Sequence, residues 1–273
     1  MSQAAHPPGE GRGVPRPPSA RWVRLAITLA LLGALAFAWL ILRGGADESL
    51  ERVLESGVLR VAIEGDNPPF GLLADDQMSG LDVDLARALA EALGVEAQFI
   101  VMGYDSLYDA LDVGLVDAVI SALWVDPDRM GDVRYTRPYF DAGQVMVVRR
   151  GSGLTSAADL DGRTIAVEFG SEGDVWARRE QRRLAQLNVV RYDAPAAALD
   201  ALAQGKVDAA IVDAISARLY PDRDALRVAQ AVAGEPYAAA VRLESAKLWQ
   251  ALDEALAAMI ADGRLEAIIA RWF

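Results

Sequence analysis

Val116–Arg129 reads VDAVISALWVDPDR. Val116, Ala118, Val119, Ile120 and Ala122 form a short apolar run after Gly114, the pattern of a strand covered on both faces in a parallel sheet. The strand stops at Trp124. Asp126 then supplies an N-cap, Pro127 suits the first position of a helix, and Arg129 falls in its first turn, where free backbone N–H groups already favour an anion. An arginine at such a strand end attracts carboxylates.

The flanking sequence keeps the same rhythm. Val58–Ile63 (VLRVAI) reads as a strand, and Leu81–Leu93 (LDVDLARALAEAL) as an amphipathic helix with Val83, Ala86, Ala90 and Leu93 on one face and Gly94 as its C-cap. Val95–Val101 is the next strand, and Ser106–Leu111 a helix leading through Gly114 back to the opening stretch. This alternation predicts βαβ architecture. An internal repeat predicts two such lobes. ALDVGLVDAVIS at 110–121 and ALAQGKVDAAIV at 201–212 share seven of twelve positions at a displacement of 91, and VAIE at 61–64 echoes IAVE at 165–168. The expected boundaries are 47–149 plus 237–273 for one lobe and 150–236 for the other.

In open α/β sheets ligands sit beyond the carboxyl ends of the strands, and pockets favour domain interfaces. Those ends are Glu64–Phe70, Ala122–Arg129, Glu168–Gly173 and Asp213. Composition narrows the chemistry available there. The chain has no cysteine and one histidine, His6, in a Pro/Gly-rich tail, which excludes thiolate or imidazole catalysis and cysteine–zinc sites. No cofactor or metal is expected. Residues 1–46 carry five arginines and one glutamate, whereas residues 47–273 carry 22 basic and 38 acidic side chains, a balance of −16 that repels nucleic acid.

Residues 1–24 read as a disordered cytoplasmic tail, and the eighteen uncharged residues Leu25–Leu42 reach about 27 Å as a helix, roughly a bilayer core. Arg12, Arg16, Arg21 and Arg24 precede this run and Arg43 follows it, which orients the rest of the chain outward. A transmembrane anchor or uncleaved signal at 25–43 is expected; a cleaved signal peptide, with Gly44–Ala46 as its small-residue site, fits the same features and exports the same domain.

These residues resemble the extracytoplasmic solute-binding proteins of polar amino-acid ABC transporters. The resemblance rests on Gly80-Leu81-Asp82-Val83-Asp84-Leu85 opening a helix, the VDAVIS strand with an arginine seven residues after Ala122, Tyr135–Phe140, the Asp159–Gly162 turn, and the closing Ala270-Arg271-Trp272-Phe273. It implies a two-lobed α/β clamp of the type II periplasmic-binding-protein fold, here preceded by one transmembrane helix. By resemblance Arg129 holds a ligand α-carboxylate and Asp213 its α-ammonium. Tyr104 packs on the ligand side chain, Glu64 and Asn67 read it, Ser121 and Ala122 contact the head group, and Ser171 adds the second lobe's carboxylate contact. Two positions depart from the pattern: Trp124 stands where relatives place a small hydroxyl residue, and Glu168 adds a negative charge.

Each residue has a structural alternative. Arg129 pairs with Asp126 or Asp128, Asp213 caps a helix, Glu64 and Glu168 end strands in solvent, and Tyr104 and Trp124 fill core. If the site forms, Arg129 faces Glu64, Glu168 and Asp213. Burying two carboxylates beyond those a zwitterionic head group needs is costly, so a cationic ligand side chain is expected, stacked on Tyr104 or Trp124. The implied function is capture of an amino acid or related carboxylated amine by a monomer that delivers it to a membrane permease with a cytoplasmic ATPase. A dehydratase of the cyclohexadienyl type and a membrane-anchored sensor are the alternatives on the same fold.

Overall fold

The computed structural model describes residues 28, 29, 31, 32 and 47–273. The tail expected at 1–24 and most of the anchor expected at 25–43 lie outside the described residues, and among the described residues no helix is long and apolar enough to cross a membrane.

Within 47–273 two five-stranded sheets share one plan. The first runs in the order Glu96–Val101, Val58–Ile63, Ala118–Val119, Ala240–Arg242, Val133–Tyr135; the second runs Asn188–Tyr192, Thr164–Glu168, Ala209–Asp213, Gln144–Arg149, Leu226–Ala231. In each the first three strands are parallel and the last two antiparallel. The chain crosses between the sheets twice, through Phe140–Asp141 and Pro236–Tyr237, and these two short strands pair antiparallel with each other. Gln144–Arg149, which the sequence reading put in the first lobe, pairs with Ala209–Asp213 and belongs to the second sheet. Its residues 144–148 are buried, so its apolar pattern suits either sheet equally well.

The internal repeat has a physical counterpart. Asp117 Oδ2 accepts the Arg60 N–H at 3.0 Å, and Asp208 Oδ2 accepts the Thr164 N–H at 2.9 Å. Arg60 and Thr164 each precede the matching tetrads at 61–64 and 165–168, so the two VDA aspartates do the same work, holding the start of one parallel strand against the next. Asp117 also takes the Arg60 guanidinium, with Nη2 at 2.7 Å from Oδ1.

The signature helix Leu81–Leu93 shows why its residue types recur. Leu81, Leu85 and Leu89 are fully buried, each removing enough apolar surface to contribute about 1.5–3 kcal/mol. Gly80 has φ +137°, and a Cβ there would lie 2.0 Å from the Phe70 carbonyl oxygen, so the position admits glycine alone. Gly94 ends the helix at φ +74° and donates to the Ala90 and Glu91 carbonyls, a left-handed C-cap. The chain's last helix, Arg264–Trp272, packs on this one: Trp272 Nε1 donates to Asp84 Oδ2 at 2.9 Å, and Phe273 stacks on Phe140 with ring centroids 5.2 Å apart.

Candidate ligand site

The first lobe's contribution begins where parallel strands end. Val58–Ile63 and Ala118–Val119 run side by side, and beyond them Ser121, almost wholly buried, accepts the Glu64 N–H on Oγ at 2.9 Å. Its hydroxyl proton stays free to donate. Ala122 follows at φ +43°, an uncommon conformation for a residue with a Cβ, and is held there by its N–H, which donates to Asp82 Oδ2 at 2.5 Å.

Asp82 comes from the first turn of the signature helix and is fully buried. Burial pushes its carboxyl up to about 7, against the pull of the Ala122 N–H. Oδ1 makes no hydrogen bond, although the buried Tyr139 hydroxyl lies close. The sequence showed Asp82 only as part of a motif; its place directly beneath the strand end was not legible there.

Beyond Ala122 the chain lies against the second crossover. The Ala238 N–H donates to the Leu123 carbonyl at 3.0 Å, Trp124 bridges Tyr237, and the Val125 N–H donates to the Pro236 carbonyl at 2.9 Å. Trp124 nevertheless stays 41% exposed, and Tyr104 40% exposed, so neither is core. Tyr104 sits near the Trp124 backbone, Tyr135, Glu64 and Asp126, and its phenol is held above the usual range, first by burial, then by Tyr135 and then by the two acids. Asn67 lies on a small separate sheet, where its carbonyl accepts the Phe70 N–H at 2.9 Å.

The α-helix predicted to start at Pro127, with Arg129 in its first turn, is a single 3₁₀ turn, Pro127–Arg129. Asp126 caps it as expected, its Oδ1 accepting the Asp128 N–H at 2.9 Å, but Gly131 and Asp132 follow at once and nothing extends the turn. Among the described residues Arg129 forms no ion pair with Asp126, Asp128 or any other acid. Its guanidinium lies over the Tyr108 ring, 4.3 Å from the centroid, and Tyr108 is fixed by a 2.7 Å hydrogen bond between its hydroxyl and that of Tyr135. The arginine is braced on an aromatic face with its charge unspent.

The second lobe supplies the acids. Asp213 caps helix Ala214–Leu219, Oδ1 accepting the Ser216 N–H at 2.7 Å, and its other oxygen makes no hydrogen bond among the described residues. Ser171 caps helix Glu172–Glu180: its Oγ accepts the Asp174 N–H at 3.2 Å and donates to the Glu168 carbonyl at 2.9 Å, so that hydroxyl is fully used. The Glu172 and Gly173 amides behind it have no acceptor among the described residues, which makes them, not the hydroxyl, the free donors of this helix start. The turn is anchored by buried Asp174, paired with Arg178 and, at 2.8 Å, with Arg191; the guanidiniums hold its carboxyl below the usual range.

Glu235, in the second crossover, was missed from the sequence. Its carboxyl is pushed up, first by burial and then by Asp141, Asp213 and Glu172. Nothing in a Gly-Glu-Pro tripeptide announces such company, because the four acids come together only when the crossovers pair. Tyr237 lies where the groups from both lobes meet: burial raises its phenol, and Glu235, Tyr104, Asp82 and Asp213 add to the shift. Tyr237 thus has Tyr104, Asp82 and Trp124 as neighbours from the first lobe and Glu235 and Asp213 as further neighbours, with Glu172 and Asp141 beside Glu235; Glu64 joins Tyr104 and Ser121. Among the described residues no group of histidine, cysteine or acidic side chains could hold a metal ion.

The chain is 31% identical over 254 residues to the L-cystine-binding protein TcyJ of Escherichia coli K12, covering 89% of this chain and 94% of that one. It is 34% identical over 190 residues to an L-arginine-binding protein of Pseudomonas aeruginosa, covering 69% and 70%. Among solved structures it is similar to an ancestral cationic amino acid solute binding protein, with TM-score 0.59 and 28% identity over 82% of this chain and 99% of that one. A family profile matches residues 59–273. The chain belongs to the bacterial extracellular solute-binding proteins, family 3.

Proposed function

We propose that this protein captures an amino acid with a cationic side chain, or a closely related carboxylated amine, between its two lobes and delivers it to the permease of an ABC transporter. The observation that carries the reading is the grouping of Asp213, Glu172 and Asp141 around Glu235, which lies beside Tyr237, itself a neighbour of the exposed Tyr104 and Trp124. Burial and the three neighbouring carboxylates raise the cost of ionising Glu235, and a bound cation relieves it. The arginine-binding relative and the ancestral cationic binder favour the same ligand class.

In this reading Arg129 leaves Tyr108 or tilts on it to take the ligand α-carboxylate as a bidentate pair, helped by Ser121 Oγ, the Ala122 backbone and the free Glu172 and Gly173 amides beside Ser171. Asp213, with one oxygen unbonded, takes the α-ammonium. Tyr104 and Trp124 stack on the side chain, while Glu64, Asn67 and Glu168 read its end. The protein binds and releases without chemical conversion. It works outside the cell membrane as a monomer, tethered by the apolar run 25–42; the supports for the tether are that run's length and the arginines on its inner flank.

Calorimetric titration of the full chain with arginine, lysine, ornithine, cystine, glutamine and glutamate tests the assignment. Micromolar or tighter binding of a basic amino acid is expected; preference for glutamate sinks it. Arg129→Ala should weaken capture at least tenfold, since a charge-assisted bidentate pair is worth roughly 1.5–3 kcal/mol. Absorbance change on incubation with prephenate or arogenate would instead mark a dehydratase.

A further inference from the structure

The two lobes carry very different charge. Residues 144–236 hold 12 basic and 13 acidic side chains, which leaves 10 basic and 25 acidic for the rest of 47–273, out of totals of 22 and 38. Near-neutrality in the second lobe is not achieved by pairing every arginine with an acid. A cavity of about 450 Å³ opens between helix Ala214–Leu219 and the edge strand Leu226–Ala231, and four arginines line it: Arg150, Arg218, Arg223 and Arg227.

Among the described residues none of the four forms an ion pair. Each is held by something neutral. Arg150 Nε donates to the Asp224 carbonyl at 2.6 Å, Arg223 Nη1 to the Arg218 carbonyl at 2.8 Å, and Arg227 Nη2 to the Leu154 carbonyl at 2.7 Å. Arg218 lies over the rings of Phe140 and Phe273, at 5.6 and 5.8 Å. Two acids share the cavity. Asp141 is occupied in part, its Oδ1 accepting the Gly143 and Glu235 N–H groups, and the Asp224 side chain forms no ion pair. The lining thus stands at four positive to two negative, with guanidiniums pre-positioned by carbonyls and most of their donors unspent. Its remaining walls are apolar, including Val145, Val147 and Leu226.

Like charges gathered without counter-ions repel, and arginines fixed in place present forks that match an oxyanion. The volume suits a small molecule and the apolar walls suit a short hydrocarbon stem. We propose that this cavity is a second ligand site, beside the cleft and sharing Asp141 with it, for a phosphate ester: an oxyanion held by Arg218, Arg223 and Arg227 with an apolar stem against Val147 and Leu226. The cleft of the proposed function is acidic and selects cations; this site selects the opposite charge and stands whether or not that reading holds.

The probe is hexyl phosphate, titrated calorimetrically into the full chain, with hexylamine as the charge control. Saturable one-site binding of hexyl phosphate and none of hexylamine is expected. The double variant Arg218→Gln/Arg223→Gln should weaken it at least tenfold while leaving amino-acid capture in the cleft unchanged. Arg223→Gln alone, on an exposed turn, gives the same reading with a smaller loss should the double variant not fold. Sedimentation with phosphatidylglycerol against phosphatidylcholine vesicles separates the sources: arginine-dependent retention on phosphatidylglycerol assigns the site to a lipid headgroup, and binding of free hexyl phosphate alone assigns it to a soluble ester. Failure of both, equal binding of hexylamine, or unchanged affinity in the variants overturns the proposal.

Discussion

The Ala122 amide and the Asp82 carboxylate meet at 2.5 Å, one at the end of a central strand and the other in the first turn of the signature helix, with no solvent between them. Asp82 therefore connects a buried ionisable group to the backbone that the ligand head group is proposed to touch. Its folded pKa of about 7 lies well above the roughly 3.9 of an unfolded aspartate. A carboxyl shifted this way binds a proton on folding, so its stabilising share is full below about pH 4 and is lost as pH rises through 7. Asp82→Asn keeps the acceptor for Ala122 and cannot ionise. Thermal unfolding at pH 5 and pH 8 should show the wild type losing stability across this range and Asp82→Asn losing less, at about 2–4 °C per kcal/mol for a protein this size. Asp82→Ala, which orphans the Ala122 amide, should cost about 1–3 kcal/mol and weaken capture as well. Equal pH slopes for wild type and Asp82→Asn would show that Asp82 does not titrate there.

Glu235 shifts in the same direction as Asp82. Its carboxyl is raised, first by burial and then by three neighbouring acids, so ionising it costs stability as pH rises through its folded value. Glu235→Gln should stabilise the ligand-free protein above neutral pH and weaken binding of a basic amino acid. Unfolding curves with and without ligand check both halves; stabilisation without loss of affinity would leave Glu235 a hinge residue only.

Trp124 is one of the two positions that the family resemblance marks as departing from its pattern. Trp124→Ser restores a small hydroxyl side chain and removes a cation-binding face. A desolvated cation–π contact is worth about 0.5–2 kcal/mol, so affinity for a basic ligand should fall some two- to thirtyfold while neutral amino acids lose less. Comparing arginine with glutamine by calorimetry reads the difference directly.

Asp174 supports the second lobe's helix start from below. Replacing it by alanine strands Arg178 and Arg191 and should cost roughly 3 kcal/mol, the low end for breaking a buried pair because both arginines can reach water. Its pKa is depressed by Arg178 before any other cause, so its stabilising share is present above the unfolded value and lost as pH falls through the folded one. Acid unfolding should begin at higher pH in the variant, followed by circular dichroism.

Much of the scaffold was legible because local patterns and packing agree in it. Val58–Ile63 and Leu81–Leu93 form over the very residues that periodicity and Gly94 marked, and the repeated VDA aspartates make the same bond in both lobes. Besides the place of Asp82, three features were not legible, each for its own reason. The turn at Arg129 carries strong capping signals, but capping residues start a helix without supplying the apolar face that prolongs one. Gln144–Arg149 is buried from its first residue to its fifth, so nothing in its pattern says which sheet it joins. Glu235 gains its acidic neighbours from the pairing of two crossovers nearly a hundred residues apart in sequence, a contact that no window along the chain contains.

The pairing of Leu123–Val125 with Pro236–Ala238 bears on the order of events during capture. A bond network that ties the Trp124 stretch to the returning crossover makes Trp124, Tyr237 and the Ala122 turn one rigid piece of the first lobe. Under the proposed function, a clamp built this way would inspect its cargo before it shuts: the aromatic wall would be complete before the second lobe closes, and the amides of Glu172 and Gly173 would arrive afterwards as a latch. Selectivity should then appear mainly in how fast ligands leave the open form, and the latch should govern how long the closed one lasts.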